Sequence, residues 1–450
     1  MRDQLLASVW NALGGDPDDL RRIVLTGPEH ALRSRFPVTD AAVAATGAAL
    51  LACTADAAPD VELDSRHAAT TVRSERLLRI DDGSPGDPFD PLSAFHRTAD
   101  GWLRLHANYP WHRAAARHVL DLPADAGPDE IRERIAARTG EELEAALHGA
   151  GGVAAAVRDE RTWRAHPAGA AAGTSPLVER RDLGTAAPRP SRRARVLDLT
   201  RVIAGPVATR TLAAHGADVL RLDPPDRPEI PLQAWDMLPG KRSALLDLAR
   251  SGDRLTELLA GADVVVTGYR PGALDRFGLA PEALAERFPG LVVVTLSAWG
   301  HRGPWAHRRG FDSLVQAACG IGETERADPD PDTPPGALPA QLLDHATGHL
   351  AAAGAALALA SQRRDGGTPH VRLSLAATAA WLQSLPRTGE PGPVADPGPA
   401  AFTERVEAPD GVLTLVSPPG RVGGRDLRWP APPPSYGTAD ASWPDTGGPA

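Results

Sequence analysis

Short β-branched runs alternate with Ala- and Leu-rich stretches over about two hundred residues in the second half of the chain. The intervening stretches, such as PVATRTLAAHG and SGDRLTELLAGA, have the spacing of amphipathic helices. Strands that alternate with helices of this length form βαβ units, so the pattern predicts an α/β fold around a parallel sheet. The predicted strands are 196–200, 217–223, 243–248, 263–269, 291–299 and 370–375.

Composition divides the rest of the chain into further segments. The stretch GTAAPRPSRRARV, which starts at Gly184, is rich in Pro and Arg and is typical of a linker. After about residue 389 the regular pattern gives way to a Pro- and Gly-rich tail. We predict five segments with boundaries at 1–95, 96–182, a linker 183–195, a core domain 196–395, and a tail 396–450.

Charge and composition exclude several classes of function. A net charge of −9 argues against a general nucleic-acid-binding surface. The two cysteines lie far apart, which disfavours disulfides and a zinc site. No signal peptide is evident, and the longest apolar run, 350–360, is too short to span a bilayer. We therefore expect a soluble, cytoplasmic protein with neither a nucleic-acid nor a membrane partner.

Sequence motifs for common cofactors and nucleophiles are missing. The turn after the first predicted strand reads RVIAGPVA rather than G-x-G-x-x-G, and neither a Walker sequence nor a G-x-S-x-G elbow occurs. His345 and His349 have a metal-ligand spacing but no evident third ligand, so we expect no metal. No permanently bound cofactor is expected.

Six blocks of sequence, in order, carry a resemblance to family III CoA-transferases, the CaiB–BaiF family. This resemblance implies a Rossmann-like core with a smaller α+β domain, and coenzyme A as a substrate. The blocks are VLDLTRVIAGPVATRTLAAHGADVLRLD (196–223), GKRSALLDL (240–248), ADVVVTGYRPGALDRFGL (262–279), LVVVTLSAWG (291–300), RRGFDSLVQAACG (308–320) and LLDHATGHLAAAGAALALASQRRDGGTPHVRLSLAATAAWL (342–382).

The resemblance implies that Asp344, four residues before Gly348, is the catalytic nucleophile. Taken alone, an Asp before an Ala/Leu-rich helix is explained as a helix cap. The implied activity moves CoA from an acyl-CoA to a carboxylic acid, the two expected partners. Such an exchange needs a temporary acyl acceptor, and a carboxylate supplies one through an aspartyl anhydride and an aspartyl-CoA thioester.

The resemblance also implies positions that contact CoA. Arg276 and Arg309 are the candidates for phosphate, because guanidinium groups bind phosphate oxygens bidentately. Tyr269 is a candidate for stacking on adenine. The implied CoA-binding residues are Ile203, Ala204, Leu246, Tyr269, Arg276, Arg309, Phe311 and Asp312.

Departures from the family pattern keep two alternatives open. Ile203 stands where some transferases have Gln, and the glycine-run loop of some members is not found. A catalytically decayed acyl-CoA-binding protein is therefore one alternative. An acyl-CoA isomerase or racemase of the same family is the other, although Phe311 occupies the position where racemases need a His base.

The first part of the chain resembles pieces of the same family in an altered order. Residues 96–182 resemble the smaller domain, which usually follows the core, and 402–420 resembles a hairpin that returns toward the core. Residues 1–95 look like a degenerate half-copy of the core, in which Asp40 would be the counterpart of Asp344. The Gly spacing fails there, so we interpret Asp40 as a helix cap. We interpret the chain as a permuted or half-duplicated member. The resemblance implies an interlocked homodimer as one possible assembly. The alternative hypothesis is that the fused half replaces part of that partner.

Overall fold

The computed structural model describes residues 1–55, 57–86, 89–123, 126–190, 192–388 and 398–444. Its amino-terminal segment centres on a long helix that is buried over nearly its whole length, because its residues are almost all small or apolar. The elements are α1 (Arg2–Ala12), a 3-10 helix (Pro17–Arg22), β1 (Ile23–Thr26), α2 (Val38–Cys53), β2 (Val61–Asp64), α3 (Ser65–Thr71), α4 (Ser74–Leu77) and β3 (Arg79–Ile80). Strands β1 and β2 are parallel.

A small α+β unit follows, with a three-stranded antiparallel sheet and its own apolar core. Leu103 and Leu105 from the middle strand pack there against Ile131, Leu143 and Leu147 from two helices. The elements are β4 (Phe95–Arg97), β5 (Trp102–Leu105), α5 (Pro110–Val119), α6 (Pro128–Ala136), α7 (Gly140–Gly149), β6 (Ala154–Ala156), α8 (Glu160–Ala165) and α9 (Pro167–Gly173).

A seven-stranded sheet forms the centre of the molecule, in the order β10-β9-β8-β11-β12-β13-β7. Its strands are β7 (Glu179–Asp182), β8 (Arg195–Leu199), β9 (Asp218–Asp223), β10 (Lys241–Leu245), β11 (Val264–Thr267), β12 (Val292–Ser297) and β13 (Pro369–Ser374). The six predicted strands are all present and pair in parallel, which confirms the predicted α/β fold.

Helices connect these strands. They are α10 (Ala204–Ala214), α11 (Pro231–Met237), α12 (Gly252–Gly261), a 3-10 helix (Asp275–Phe277), α13 (Pro281–Arg287), α14 (Asp312–Ala318), α15 (Ile321–Thr324), α16 (Leu342–Asp365) and α17 (Leu375–Ser384). The longest, α16, crosses both α10 and α2, so that the core and the amino-terminal segment share one apolar interior.

Strand β7 differs from the predicted domain boundaries. Residues 179–182 were assigned to the small domain, yet they pair antiparallel with β13 at the edge of the central sheet. Their polar sequence, ERRD, suits an edge whose side chains reach solvent or ion pairs. The predicted end of the core at residue 395 lies outside the described residues.

The tail contacts both the amino-terminal segment and the core. Its elements are a 3-10 helix (Pro399–Phe402), β14 (Thr403–Ala408), β15 (Gly411–Val416), β16 (Arg421–Val422) and β17 (Arg425–Asp426). The predicted hairpin is β14–β15, which pairs with β3, while β16 pairs with β2. Beyond them, the Ala439 amide donates to Ser243 and the Trp443 indole donates to Leu258, on the core.

One order of elements occurs twice. Helix α2, strand β2 and helix α3 follow one another as do α16, β13 and α17. Asp40 and Asp344 are each the third residue of their helix. The interpretation of Asp40 as a cap is therefore wrong, because Pro37 occupies the cap position of α2. The half-duplication remains a prediction, for which this order is the supporting observation.

None of the helices in the described ranges is long and apolar enough to cross a membrane.

Candidate active site

Asp344 lies in the first turn of α16. The helix begins at Leu342, three residues earlier than a capping role for Asp344 requires, and Gln341 occupies the cap position. Asp344 is therefore not a cap, and that explanation was wrong. Its side chain is only 6% exposed, and none of the residues in the described ranges donates a hydrogen bond to its carboxyl group. A buried carboxyl without a donor is costly, which marks this position as a candidate site.

Gly348 lies where α16 meets the start of α10, the helix that follows β8. A Cβ at residue 348 would lie 2.5 Å from the Ala204 carbonyl oxygen and 2.7 Å from the Val207 Cβ. The missing side chain therefore allows α16 to pack directly on the first turn of α10. The spacing of Asp344 and Gly348 thus places the carboxyl one helical turn before this close contact.

Asp312 lies beneath the start of α16. Its Oδ2 accepts a hydrogen bond from the Asp344 amide at 3.0 Å, and Gln316 donates to its other oxygen. Burial raises the pKa of Asp312 to about 6, although these hydrogen bonds oppose the shift. Burial, followed by the charges of Asp312 and Glu75, raises the pKa of Asp344 well above its ordinary value. Asp312 thus supports Asp344 from the interior, and its contact with CoA stays a prediction.

The amino-terminal segment contributes two residues to this region that the sequence did not indicate. The Glu75 carboxylate accepts a hydrogen bond at 3.0 Å from Nε2 of His345, the residue after Asp344. Arg76 donates at 3.0 Å to the carbonyl of Pro339, just before α16. Both contacts join residues more than 260 positions apart in the sequence.

The turn between β8 and α10 is strained. Val202 has φ +69°, a left-handed conformation that is unfavourable for a β-branched residue. Its amide donates to Glu229 at 3.0 Å, which helps to hold the turn. The next residue, Ile203, is buried against Val207 and Met237, so its side chain faces the core. Ala204 is half-buried at the first position of α10.

A group of arginines lies near Arg309, at the carboxyl edge of the sheet. Burial lowers the pKa of Arg309, and the charges of Arg270 and Arg227 lower it further. Among the described residues, neither Arg309 nor Arg270 forms an ion pair, and Arg227 has only Asp226, at 3.9 Å. Clustered cations without acidic partners are suited to a polyanionic ligand.

Aromatic side chains of the small unit border this arginine group. The guanidinium groups of Arg201 and Arg227 lie 5.7 and 5.3 Å from the ring centre of Trp111, and Arg201 lies 5.1 Å from that of Tyr109. Phe311 stacks on His106, with ring centres 3.9 Å apart. The small unit therefore forms one wall of the site.

The other predicted CoA contacts lie farther along the edge of the sheet. Tyr269 follows β11 and is partly buried; burial raises its pKa to about 12. Leu246 follows β10 and packs against a cluster of apolar side chains. Arg276 is exposed, with its guanidinium 4.7 Å from the ring centre of Phe277.

Lys241, the one lysine of the chain, forms a buried ion pair that stabilises the fold. Its Nζ lies 3.0 Å from Asp198 Oδ2, 3.0 Å from the Pro206 carbonyl and 2.6 Å from the Thr209 hydroxyl, and both charged side chains are fully buried. Burial lowers the pKa of Lys241 to about 8. This ion pair fastens α10 to the sheet beneath the strained turn.

Comparisons with known proteins identify similar CoA-transferases. Residues 192–412 match the model of CoA-transferase family III. The chain is 32% identical over 229 residues to the probable fatty acyl-CoA transferase of Mycobacterium tuberculosis, covering 46% of this chain and 57% of that protein. It is 34% identical over 203 residues to the acetyl-CoA:oxalate CoA-transferase of Acetobacter aceti, covering 42% of this chain and 51% of that protein.

A longer stretch resembles a fungal protein. The acyl-CoA transferase of Gibberella moniliformis is 30% identical over 314 residues, 63% of this chain and 55% of that protein. A crystal structure of the Mycobacterium tuberculosis protein aligns with a TM-score of 0.39 at 32% identity, over 44% of this chain and 59% of that one. The chain thus spans about half the length of the curated relatives it matches.

Proposed function

Because residues 192–412 match the model of CoA-transferase family III, we propose that this chain moves CoA from an acyl-CoA to a carboxylic acid, with Asp344 as the nucleophile. The observation that carries the proposal is the Asp344 carboxyl itself. It is buried in the first turn of a long helix, and no hydrogen-bond donor among the described residues occupies it.

The first half-reaction transfers the acyl group and then CoA to the protein. An oxygen of the Asp344 carboxylate attacks the thioester carbonyl, the C–S bond breaks, and CoA leaves as a thiolate with an aspartyl anhydride in place. The thiolate then attacks the aspartyl carbonyl of that anhydride. The donor acid leaves as a carboxylate, and an aspartyl-CoA thioester remains.

The second half-reaction runs through the same intermediates in the opposite order. The incoming carboxylate attacks the aspartyl thioester, which releases the CoA thiolate and forms a new anhydride. The thiolate attacks the substrate's carbonyl, so that the product acyl-CoA leaves and the Asp344 carboxylate is restored. No proton is gained or lost over the cycle.

The arginine group supports CoA as the ligand. Arg227, Arg270 and Arg309 have cationic groups that a pyrophosphate and a 3′-phosphate could pair with bidentately. Arg309 lies three residues before Asp312, which binds the Asp344 amide. The same loop thus links the proposed phosphate site to the proposed nucleophile.

Trapping of the acylated enzyme tests the nucleophile. The protein is incubated with acetyl-CoA or a fatty acyl-CoA in the presence of hydroxylamine, digested, and analysed by mass spectrometry. We expect a hydroxamate on Asp344. The D344N variant should form none and should lose CoA-transfer activity by about a thousandfold or more. The matched D40N variant, altered at the corresponding position of α2, should form the hydroxamate normally.

Other outcomes distinguish the alternatives. CoA binding without a hydroxamate at Asp344, with every acyl-CoA tested, would support a decayed acyl-CoA-binding protein. Deuterium uptake at the α-carbon of the acyl group without CoA exchange would support an isomerase or racemase.

A further inference from the structure

The amino-terminal segment reaches the start of α16 through one short helix, α4. This helix lies outside the residues that match the family model. It is anchored on its other side, where the Ser74 hydroxyl donates to Asp236 at 2.7 Å and accepts from Arg210 at 2.9 Å. The next two residues, Glu75 and Arg76, are thereby held against the loop and first turn that carry Asp344.

We propose that Glu75 is a positioning residue of the Asp344 site, which holds the first turn of α16 through His345 and places a negative charge beside Asp344. This inference rests on the proposed function, since it assigns a role in the acylation of Asp344.

The geometry of Glu75 differs from that of an ordinary surface carboxylate. Glu75 and His345 are both buried, and their hydrogen bond measures 3.0 Å. The second carboxyl oxygen, Oε1, is buried and accepts no hydrogen bond from the residues that the structure describes; the Arg76 guanidinium lies 3.7 Å away. A buried carboxylate with an unoccupied oxygen costs free energy, so its presence calls for a role beyond local stability.

Glu75 is ionised in this environment. Burial disfavours its charge, but the hydrogen bond and charge of His345, together with Arg76, outweigh burial and lower the pKa of Glu75. Its negative charge in turn helps to raise the pKa of Asp344. The ionisable groups around Asp344 are thus Asp312 from α14, Glu75 and Arg76 from α4, and His345 and His349 on α16 itself.

The chemical consequence concerns the state of Asp344 before and after attack. With two negative neighbours, the Asp344 carboxylate is raised in free energy, whereas the neutral anhydride and thioester are not. Glu75 therefore favours conversion of the carboxylate to its acylated forms. The Glu75 charge also favours the protonated form of Asp344 at low pH. The pH at which the acylation rate falls should therefore depend on Glu75.

The test is the pH dependence of Asp344 acylation in a single turnover, measured with acetyl-CoA for wild type and E75Q. Removal of the Glu75 charge should shift the acid limb of the rate profile to lower pH. When each protein's rate is divided by its own plateau rate, E75Q should be faster than wild type at acid pH by a factor of about three or more. The plateau rate itself should fall. E62Q, which removes the same charge from the exposed surface of β2, should match wild type.

A second variant covers the case in which E75Q does not fold. Arg76 is half-exposed, so R76L should leave the core intact while losing the hydrogen bond to Pro339. We expect its acylation rate to fall about threefold or more. If E75Q folds and its acid limb lies at the same pH as that of wild type, the inference is overturned. If E75Q does not fold, an acylation rate of R76L equal to that of wild type overturns it. Absence of acylation in wild type would instead contradict the proposed function.

Discussion

At the scale of single residues, the site is dominated by carboxyl groups that are close together and buried. Asp312 binds the Asp344 amide through one oxygen, and burial keeps its pKa at about 6. Burial and the charges of Asp312 and Glu75 all raise the pKa of Asp344. Such groups titrate as a coupled set, so an observed midpoint belongs to the cluster.

This coupling predicts an unusual pH profile. Attack needs the Asp344 carboxylate, and a raised pKa means that this form is scarce at pH values where an ordinary aspartate is fully ionised. We expect the acid limb of the single-turnover acylation rate to lie at a higher pH than the titration of an ordinary aspartate. In D312N, which lacks the second charge, the acid limb should move to lower pH. Stopped-flow measurement of thiolate release gives the profile.

The control for that prediction is D40N. Asp40 is also buried and also third in its helix, but it pairs with Arg2 at 3.2 Å in the other half of the molecule. Its removal should leave the limb unchanged. An acid limb in wild type at the pH of a free aspartate would contradict the account of the coupled carboxyls.

At the scale of secondary structure elements, the contact between α16 and α10 determines where Asp344 lies. Gly348 permits that contact, because a methyl group there would overlap the Ala204 carbonyl and Val207. The strained turn at Val202 and the buried Lys241–Asp198 ion pair fix α10 from the other side. The position of the proposed nucleophile therefore depends on the residues that fix these two helices against each other.

The substitution G348A tests this dependence. The added methyl should push α16 away from α10, destabilise the fold by about 1–3 kcal/mol and slow Asp344 acylation. At Gly252, the first residue of α12, a Cβ would have no atom of the described residues within 4 Å, so G252A should change stability by less than about 0.5 kcal/mol. Thermal melts and single-turnover rates are the measurements. A G348A protein as stable and active as G252A would contradict the argument.

Much of the element order could be predicted from the sequence. The six parallel strands have continuous apolar runs because both faces of the sheet are covered, and the structure has all six in the predicted order along the chain. Strand β7 was missed because ERRD has no apolar alternation. The start of α16 was misjudged because Gln341 lacks a capping side-chain hydrogen bond, so the local sequence gives no start signal.

The candidate site was less predictable. Asp344 and Arg309 were indicated by the ordered blocks of family resemblance. Glu75 was not, because its bond to His345 joins positions 270 residues apart and depends on how the amino-terminal segment folds. The grouping of Arg227 and Arg270 with Arg309 likewise arises only when three loops meet at one edge of the sheet.

At the scale of the whole molecule, a negative protein presents a local positive site. The net charge is −9, yet Arg227, Arg270 and Arg309 lie near one another with little acidic compensation among the described residues. The small unit contributes Tyr109 and Trp111 to the same region. The tail and the amino-terminal segment close around the core through β3, β15 and β16.

The arginine group should determine the affinity for CoA. Charge-assisted hydrogen bonds contribute about 1.5–3 kcal/mol each, so R309A and R227A should each weaken CoA binding by about tenfold or more. Binding should also weaken as salt concentration rises. R254A is the control, since Arg254 lies exposed on α12 and pairs with Glu257 at 2.7 Å. Isothermal titration calorimetry with free CoA measures the effect, and equal affinities for all three variants would contradict the assignment.

The most direct test of the proposal that Asp344 is the nucleophile is to trace oxygen atoms with an isotope label. When the incoming acid attacks the aspartyl-CoA thioester and CoA then departs with the substrate acyl group, one oxygen of that acid remains on Asp344. Turnover of acetyl-CoA with ¹⁸O-labelled acetate, or with a labelled fatty acid, followed by digestion and mass spectrometry, measures this transfer. We predict ¹⁸O in the Asp344 carboxyl group and none in Asp40. CoA exchange that leaves Asp344 unlabelled would contradict the assignment of Asp344 as the nucleophile.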